Sequence, residues 1–308
     1  MKSVVISGAT SMIGIALMNQ CIKNNTKVLA IIRKNSTKLN RIPKNRLVKV
    51  LYCDADEYEN ADVKDLQDKY DAFFHFAWNA DKISRNDVTL QEQNIRNTIG
   101  AVRLAKRLGC YRFIGAGSQA EYGRFEGVLG PNTPIHPDIA YGIAKYSAGR
   151  LSSLLCKDIG LEHIWVRVLS VYGIYDNPNT MISYAINELI AGREPEFTKC
   201  EQKWDYLFSE DAGRAFYLVG ERGKNNKIYC LGSGIARPLS DYVKSINKQL
   251  GKAEDFGIGK RDYAPMQVMH LCADISELTA DTGFIPDIVF EEGLSRTVEF
   301  WKKQKKCD

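Results

Sequence analysis

The sequence lacks the features that would place it in a membrane or around a metal ion. No apolar run approaches the ~20 residues needed to span a bilayer. None of the eight cysteines forms a Cys-x-x-Cys pair or stands beside histidines at metal-ligand spacing, so no metal site is predicted. Scattered cysteines are typical of reduced thiols, and the chain begins with a strand-like segment instead of a signal peptide. Both features predict a cytoplasmic protein.

The sequence also lacks a long stripe of charge of one sign, an internal repeat and a low-complexity segment. Its net charge of +5 is spread over 308 residues, and basic residues alternate with acidic ones instead of forming a stripe. A nucleic-acid interface is therefore not predicted. The basic run at 302–306 is interpreted as a solvated helix end, where cations interact favourably with the helix dipole.

Short apolar runs rich in β-branched residues alternate with amphipathic stretches through the first half of the chain. This alternation is typical of β-α-β units, and crossovers of this length require parallel strands. We therefore expect an α/β fold with a Rossmann-like, doubly wound parallel sheet of about seven strands. The predicted strands are 4–6, 28–32, 48–51, 72–76, 113–115, 163–168 and 228–231, and the predicted helices are 12–24, 90–108 and 138–158.

The alternation loosens in the second half, where 174–192, 204–220 and 238–250 are interpreted as helices or loops separated by Gly, Pro and Asn. A smaller, mixed C-terminal lobe that binds the substrate is expected there. The predicted division assigns 1–172 and 205–235 to a dinucleotide-binding domain, and 173–204 and 236–308 to the substrate-binding lobe.

A glycine-containing turn joins the first predicted strand to the first predicted helix. Glycines in such a turn let backbone N–H groups approach a pyrophosphate at the positive end of the helix, which is the physical basis of dinucleotide binding. Gly8 permits the turn and Gly14 permits close packing of the helix. A tight turn without a ligand is the alternative. The candidate pyrophosphate-binding residues are Gly8, Thr10, Ser11, Met12, Ile13 and Gly14.

Cations follow the second strand, at the position where NAD-preferring proteins of this architecture place an acid on the adenosine ribose. Arg33, Lys34 and Ser36 stand there instead. A guanidinium makes bidentate, charge-assisted hydrogen bonds to phosphate oxygens, so these residues suit a 2′-phosphate. We therefore expect NADP(H) as the cofactor, with NAD(H) possible. Charges in a solvated loop are the structural alternative.

Tyr141 and Lys145 stand four residues apart on the predicted helix 138–158, so both side chains share one face. An unperturbed phenol has a pKa near ~10, and a neighbouring cation lowers that value. Lys145 is therefore expected to lower the pKa of Tyr141 so that the phenol can act as a general acid. Ser118 follows the fifth strand, at the sheet edge that faces a bound ligand, and can donate to a substrate carbonyl oxygen. These three are the predicted catalytic residues. A Tyr-x-x-x-Lys pair by itself is more often a feature of a helix surface.

These motifs, in this order, resemble those of the extended short-chain dehydrogenase/reductase family, also described as the NAD-dependent epimerase/dehydratase family. The first turn resembles its Gly-x-x-Gly-x-x-Gly pattern with Ser11 in place of the middle glycine, and Asn94 matches the first residue of its Asn-x-x-Gly-Thr element. The segment around Ser170 resembles the strand that ends in Asn-x-Tyr-Gly, with serine for the asparagine. Later similarities lie at 205–212 and 278–294.

The resemblance implies cofactor contacts beyond the first turn. Asp54 would hydrogen-bond the adenine amine, and Ala77 with Trp78 would lie beneath the ribose and phosphates. A capped turn would explain Asp54 equally well, and packing would explain Trp78. The implied contacts are Asp54, Ala77, Trp78, Asn94, Tyr141 and Lys145, of which Lys145 would also hold the nicotinamide ribose.

The resemblance also implies substrate contacts and an oligomer. Trp204 occupies the position where many nucleotide-sugar epimerases keep an arginine against the sugar diphosphate, so Arg261 is the implied replacement. Gln119 and Ser170 are the other implied substrate-binding residues. The second and third predicted helices resemble the pair that forms a four-helix interface in relatives, so a homodimer is expected.

The residues after Ser118 bear on the reaction. Sugar-nucleotide 4,6-dehydratases of this family carry Asp-Glu there, because elimination of water needs an acid and a base beyond the tyrosine. Here these positions are Gln119 and Ala120, which disfavours dehydration. Glu121 would face away from Ala120 in an extended segment and is not assigned that role. We expect NADPH-dependent reduction of a 4-keto sugar on CDP or dTDP, in the synthesis of a deoxysugar or cell-surface polysaccharide precursor. A 4-epimerase is the alternative, and a non-catalytic cofactor-binding protein is the third possibility.

Overall fold

The structure, a computed structural model, describes residues 1–64, 66, 69–79 and 84–305. Within them the chain forms twelve β-strands and eight α-helices. The strands are β1 (Ser3–Ser7), β2 (Lys27–Ile32), β3 (Val48–Tyr52), β4 (Ala72–His75), β5 (Arg112–Ser118), β6 (Gly127–Leu129), β7 (Glu162–Val168), β8 (Ser170–Tyr172), β9 (Lys203–Phe208), β10 (Ile228–Leu231), β11 (Ala236–Pro238) and β12 (His270–Ala273).

Seven strands form one sheet in the order β3-β2-β1-β4-β5-β7-β10. All of its pairs are parallel. The order steps outward from β1 in both directions, which is the doubly wound arrangement. These are the seven strands that the sequence predicts, and the expected Rossmann-like α/β fold is confirmed.

Helices cover both faces of this sheet, so its central strands are buried on both sides. Val4 and Ile6 of β1 belong to one apolar core, and Val5 between them belongs to the other. This two-sided burial explains why the strands are continuous apolar runs without alternation. The helices are α1 (Met12–Lys23), α2 (Val88–Arg107), α3 (Ala140–Asp158), α4 (Met181–Ile190), α5 (Ser209–Arg222), α6 (Leu239–Gln249), α7 (Ser276–Thr282) and α8 (Phe290–Gln304).

A smaller, mixed sheet lies beyond the parallel one. β12 pairs in parallel with β6 and β9, β11 runs antiparallel to β9, and β8 pairs with the end of β9. The interpretation of 204–220 as helix or loop is wrong for its first part, because strand pairing on both edges holds Trp204–Phe208 extended within β9. The division of the chain into two domains stays a prediction; β6 belongs to the smaller sheet although it lies within 1–172.

No helix in the described part of the chain is long and apolar enough to cross a membrane. Within the same residues, the His, Cys, Asp and Glu side chains form no group of three that could hold a metal ion.

Trp165 of β7 lies against glycines of β5 and α3. A Cβ added to Gly115 would lie 2.2 Å from the Trp165 Cζ3 atom, one added to Gly117 would lie 2.3 Å from its Nε1, and one added to Gly149 would lie 2.8 Å from its Cε2. Trp165 is buried. Glycine at these three positions therefore makes room for the indole between the sheet and α3.

We expect Gly115→Ala to lower the free energy of unfolding by about 2 kcal/mol, because the new methyl group overlaps a fixed indole. Urea unfolding followed by circular dichroism measures this. Gly100→Ala on α2 is the matched control, since its Cβ would have no neighbour closer than 3.5 Å. That variant should gain roughly 0.8 kcal/mol from helix propensity. Equal effects of the two substitutions would contradict the role of Trp165.

Candidate active site

The turn between β1 and α1 lies in contact with the segment that follows β4. Gly8 has a φ of +67°, and a Cβ there would lie 2.6 Å from the backbone nitrogen of Ala77. A Cβ on Gly14 would lie 2.6 Å from the Gly8 carbonyl oxygen. The Ser11 Oγ accepts a hydrogen bond from the Gly14 N–H at 3.1 Å and so caps α1. Both glycines are thus required by close backbone contacts, as the sequence predicts.

A cavity of about 420 Å³ opens at this edge of the sheet, next to the start of α1. Its lining comes from the segments that follow β1, β2, β3 and β4, and from α2. Six of the predicted cofactor residues do not line it: Met12, Ile13, Gly14, Ser36, Tyr141 and Lys145. The predicted cofactor residues that line it are Gly8, Thr10, Ser11, Arg33, Asp54, Ala77, Trp78 and Asn94.

Three cations gather beside this cavity, and we call Arg33, Lys38 and Arg41 the cationic cluster. Arg33 and Lys38 line the cavity, and Arg41 donates to the Thr10 carbonyl oxygen at 3.4 Å. Partial burial, and then the charges of Arg41 and Arg33, lower the pKa of Lys38. Lys34, which the sequence places beside Arg33, instead pairs with Glu57 at 2.6 Å outside the cavity.

The sequence argument missed Lys38. Its backbone N–H donates to the Ser36 Oγ at 3.3 Å, so the predicted Ser36 shapes the loop that carries Lys38 instead of lining the cavity itself. The concentration of basic residues between 33 and 41 was the available signal.

Asp54 lines the cavity and also caps a turn, and its contact with adenine stays a prediction. The Asp54 Oδ1 accepts from the backbone N–H of Lys34 at 3.3 Å. Its own N–H donates to the Glu57 Oε2 at 3.4 Å, which caps the turn after β3. The Asp54 side chain also accepts from the Glu57 N–H, so Asp54 caps this turn while it lines the cavity.

Two side chains of α2 hold the segment after β4 in place. Asn94 donates to the Asn79 carbonyl oxygen at 2.8 Å and accepts from the Asn79 N–H at 2.9 Å. The Gln91 Oε1 accepts from the Trp78 Nε1 at 3.0 Å. The Trp78 indole is thereby fixed with its ring centroid 3.7 Å from the Lys145 Nζ and edge-to-face with the Tyr141 ring at 6.1 Å. Trp78 thus lines the cavity and also contacts the predicted catalytic pair.

The structure brings the three predicted catalytic residues together. Ser118 is the last residue of β5, and Tyr141 with Lys145 lies on the first turns of α3. The Ser118 side chain is close enough to the Tyr141 phenol to lower the pKa of Tyr141 in part. The Lys145 Nζ donates to the Ala116 carbonyl oxygen at 2.7 Å. The expected grouping of an alcohol, a phenol and an ammonium is therefore present in the fold.

The expected lowering of the Tyr141 pKa is wrong for this structure. Burial raises the pKa of Tyr141, and the hydrogen bond with Ser118 and the charge of Arg85 oppose that shift only in part. Burial also lowers the pKa of Lys145 to about 7, against the charge of Glu121. Desolvation dominates because it disfavours the charged form of both groups.

Arg85 is a second residue that the sequence argument missed. Its guanidinium carbon lies 4.5 Å from the centroid of the Tyr141 ring. Arg85 lies on a short turn before α2, and nothing in its sequence context marks it as a neighbour of the tyrosine. The turn therefore brings a second cation to Tyr141 in addition to Lys145.

A buried acid lies behind Ser118. Glu121 belongs to the 3-10 turn Gln119–Tyr122 and is 1% exposed, so the segment is not extended. Its Oε1 accepts from the Ser118 N–H at 2.8 Å and from the Trp165 Nε1 at 2.9 Å, and its Oε2 accepts from the Arg167 Nε at 2.8 Å. Both carboxylate oxygens of Glu121 accept hydrogen bonds, which agrees with the expectation that Glu121 is not the acid or base of a dehydration.

A second cavity of about 210 Å³ is lined by Gln119, the residue that follows Ser118. The Gln119 Oε1 is buried without a hydrogen-bond partner in the described part of the chain. Ser170 lies outside this cavity, and its Oγ accepts from the Trp204 Nε1 at 2.8 Å. The lining consists of Gln119, Ala120, Gly123, Arg124, Phe125, Leu129, Asp138, Ile139, Trp204, Val268 and Leu271.

Arg261 is not brought to either cavity. It is exposed, and its guanidinium lies 3.5 Å from the Glu196 carboxylate. Its assignment to the sugar diphosphate stays a prediction.

Known proteins resemble this chain along its whole length. The dTDP-glucose 4,6-dehydratase of Haemophilus influenzae is 26% identical over an alignment of 337 residues that covers 98% of each chain. The solved structure of a UDP-glucose 4-epimerase from Thermotoga maritima with UDP-glucose has a TM-score of 0.86 at 22% identity, covering 98% of this chain and 99% of that one. A dTDP-glucose 4,6-dehydratase from Streptomyces venezuelae with NAD bound has a TM-score of 0.85 at 18% identity, covering 99% and 98%.

The family profile for the "NAD dependent epimerase/dehydratase family" matches residues 4–232. This match spans more than half of the chain and includes the glycine turn, Ser118, Tyr141 and Lys145. The chain therefore belongs to the NAD-dependent epimerase/dehydratase family of extended short-chain dehydrogenases/reductases.

Proposed function

We propose that this protein catalyses the NADPH-dependent reduction of a 4-keto sugar carried by a nucleoside diphosphate. The observation that carries the proposal is the grouping of Ser118, Tyr141 and Lys145 next to residues that line the two cavities. Trp78 links this trio to the first cavity, and Gln119 links it to the second. Gln119 and Ala120 provide no acid–base pair for eliminating water.

The first cavity suits a phosphorylated dinucleotide. Gly8, Thr10 and Ser11 would hold the pyrophosphate at the start of α1, where backbone N–H groups and the helix dipole favour an anion. Asp54 would accept from the adenine amine. Arg33 and Lys38 would hold the 2′-phosphate, since an anion there would relieve the mutual repulsion of the cationic cluster.

The trio would then provide the proton chemistry of the reduction. A bound reduced nicotinamide supplies the hydride to the keto carbon. Tyr141 donates its proton to the keto oxygen, and its raised pKa keeps the phenol protonated at neutral pH. The Ser118 hydroxyl donates a hydrogen bond to the same oxygen and stabilises the charge that develops there. The ammonium form of Lys145 stabilises the tyrosinate that remains.

The second cavity suits a deoxygenated sugar. Phe125, Leu129, Ile139 and Trp204 give it apolar walls, which favour methyl and methylene groups over hydroxyls. The unpartnered Oε1 of Gln119 would accept from one remaining sugar hydroxyl. CDP or dTDP is the proposed carrier; the relatives described above act on or bind dTDP- and UDP-linked sugars by name.

A 4-epimerase is the second candidate. The same trio would serve an oxidation at C4 followed by return of the hydride, and the similar Thermotoga maritima structure is a UDP-glucose 4-epimerase. The cationic cluster favours the reductase, because cellular NADP is mostly reduced and therefore suits net reduction.

The proposed homodimer would form through α3. Ile143, Leu151 and Leu154 are exposed by 49%, 46% and 57%, and their spacing places them along one stripe of the helix. A second copy of the chain would cover this apolar stripe.

We expect Leu154→Glu to convert a dimer to a monomer in sedimentation velocity, whereas Ile285→Glu, at an exposed apolar residue elsewhere, should leave the dimer intact. A parent protein that sediments as a monomer would contradict the proposal.

The reductase is tested with NADPH and a panel of CDP- and dTDP-linked 4-keto sugars. We expect cofactor oxidation with at least one sugar. Tyr141→Phe should slow this reaction by at least ~100-fold, because the general acid is lost, while the affinity for NADPH stays nearly unchanged. Loss of NADPH absorbance measures the rate, and fluorescence titration measures the affinity.

Tyr146→Phe on the same helix is the matched control and should retain the activity of the parent protein. Unchanged turnover in Tyr141→Phe would remove the tyrosine from the mechanism. Isomerised products without cofactor oxidation would replace the reductase by the epimerase.

The 2′-phosphate assignment predicts a selective loss of affinity. Arg33→Ala and Lys38→Ala should each weaken NADPH binding by at least ~10-fold, since each removes a charge-assisted contact, and should change NADH binding little. Lys34→Ala is the control, because Lys34 pairs with Glu57 and does not line the cavity. Equal losses for NADPH and NADH would contradict the assignment.

A further inference from the structure

We infer that Glu121 is a positioning residue for the catalytic trio: its carboxylate fixes Ser118 at the end of β5 and places a negative charge behind Tyr141 and Lys145. The inference rests on the proposed function only for the identity of the reaction that it supports.

The carboxylate of Glu121 has a site built around it. A Cβ on Gly117 would lie 2.4 Å from the Glu121 Oε1, so glycine is needed for the acid to reach the sheet. The Arg167 guanidinium, also 1% exposed, donates to the Glu121 Oε2, to the Tyr122 hydroxyl at 3.1 Å and to the Pro131 carbonyl oxygen at 3.3 Å. A carboxylate held by a fixed guanidinium and a fixed indole N–H has one orientation.

This orientation determines where Ser118 lies. Glu121 accepts from the Ser118 N–H at 2.8 Å, which fixes the backbone at the last residue of the strand. The Ser118 Oγ accepts from the Ala120 N–H at 3.2 Å, within the same turn that carries Glu121. Glu121 lines neither the first nor the second cavity, so it acts through Ser118 and through its charge instead of touching the substrate.

The charge of Glu121 also reaches the other two members of the trio. It raises the pKa of both Tyr141 and Lys145. Among the described residues, the other titratable or charged groups that face this pair are Arg85 and His75. Burial lowers the pKa of His75 to about 3, so that it stays neutral, and Arg85 favours the tyrosinate. Glu121 is therefore the charged group that favours the protonated form of both residues: it adds to the larger effect of burial on the pKa of Tyr141 and opposes the effect of burial on the pKa of Lys145.

The first test is the pH dependence of the reaction in Glu121→Gln. Without the negative charge the pKa of Tyr141 falls, so the alkaline limb of kcat should move to lower pH by at least ~0.5 unit. The kcat at the optimum should fall by at least ~10-fold, because Ser118 is less well held, while the KM for NADPH stays within about twofold. An unshifted pH profile with kcat within about twofold of the parent would overturn the inference.

The second test needs no substrate. The pKa of Lys145, about 7 in this structure, is measured by carbon-13 NMR of lysine Cε atoms, with Lys145→Arg identifying the resonance. Glu121→Gln should lower it by at least ~0.5 unit. An unchanged value would overturn the inference whatever the reaction is. A lowered value in a protein that reduces no 4-keto sugar would support it and contradict the proposed function instead.

Glu162→Gln is the matched control. Glu162 pairs with Arg112 at 2.6 Å and joins the same two strands, β5 and β7, at their opposite ends. It should leave the pH profile, kcat and the pKa of Lys145 unchanged; equal effects of the two variants would reduce Glu121 to a structural residue. Glu121→Gln combined with Arg167→Gln removes both buried charges and preserves the measurement if the single variant is unstable. It should show the same lowered pKa of Lys145.

Discussion

The close approach of the first turn to the segment after β4 determines the geometry of this edge of the sheet. Gly8 lies where a Cβ would be 2.6 Å from the Ala77 nitrogen, so two backbones meet without a side chain between them. The contact brings the start of α1 and the Trp78 indole to one cavity. Trp78 in turn lies on the Lys145 ammonium. A continuous series of contacts therefore joins the glycine turn to Tyr141.

Burial, more than the charge of a neighbouring lysine, controls the protonation of Tyr141 and Lys145. A cation four residues away was expected to favour the tyrosinate, yet both groups lose hydration between Trp78, β5 and α3. Desolvation favours the neutral phenol and the neutral amine. A neutral phenol is the form that can protonate a keto oxygen, so this balance is compatible with reduction. The buried charge of Glu121 raises the pKa of Tyr141, as burial does. It also raises the pKa of Lys145, which burial lowers.

The glycines near the end of β5 are required by side-chain contacts, whereas those of the first turn are required by contacts between backbones. Gly115 and Gly117 make room for Trp165, and Gly117 also admits the Glu121 carboxylate. In the sequence they look like part of a ligand-facing strand end. In the fold they serve a buried network that supports Ser118 from behind, so the precision of the site depends on packing beneath the strand as well as on the ligand-facing side.

The sequence by itself determined the seven-stranded parallel sheet, the glycine turn and the trio of Ser118, Tyr141 and Lys145, because each depends on local patterns: continuous apolar runs, a strand-to-helix turn, and two residues on one helix face. The tertiary structure decided what lies around them. Lys38 lines the first cavity and Lys34 does not. Arg85, on a turn far from Tyr141 in the chain, contacts the Tyr141 ring, and the buried Glu121 pairs with Arg167 of β7. These contacts depend on parts of the chain that only the fold brings together. The desolvation that raises the pKa of Tyr141, where a lowering was expected, likewise arises only when strands and helices pack together.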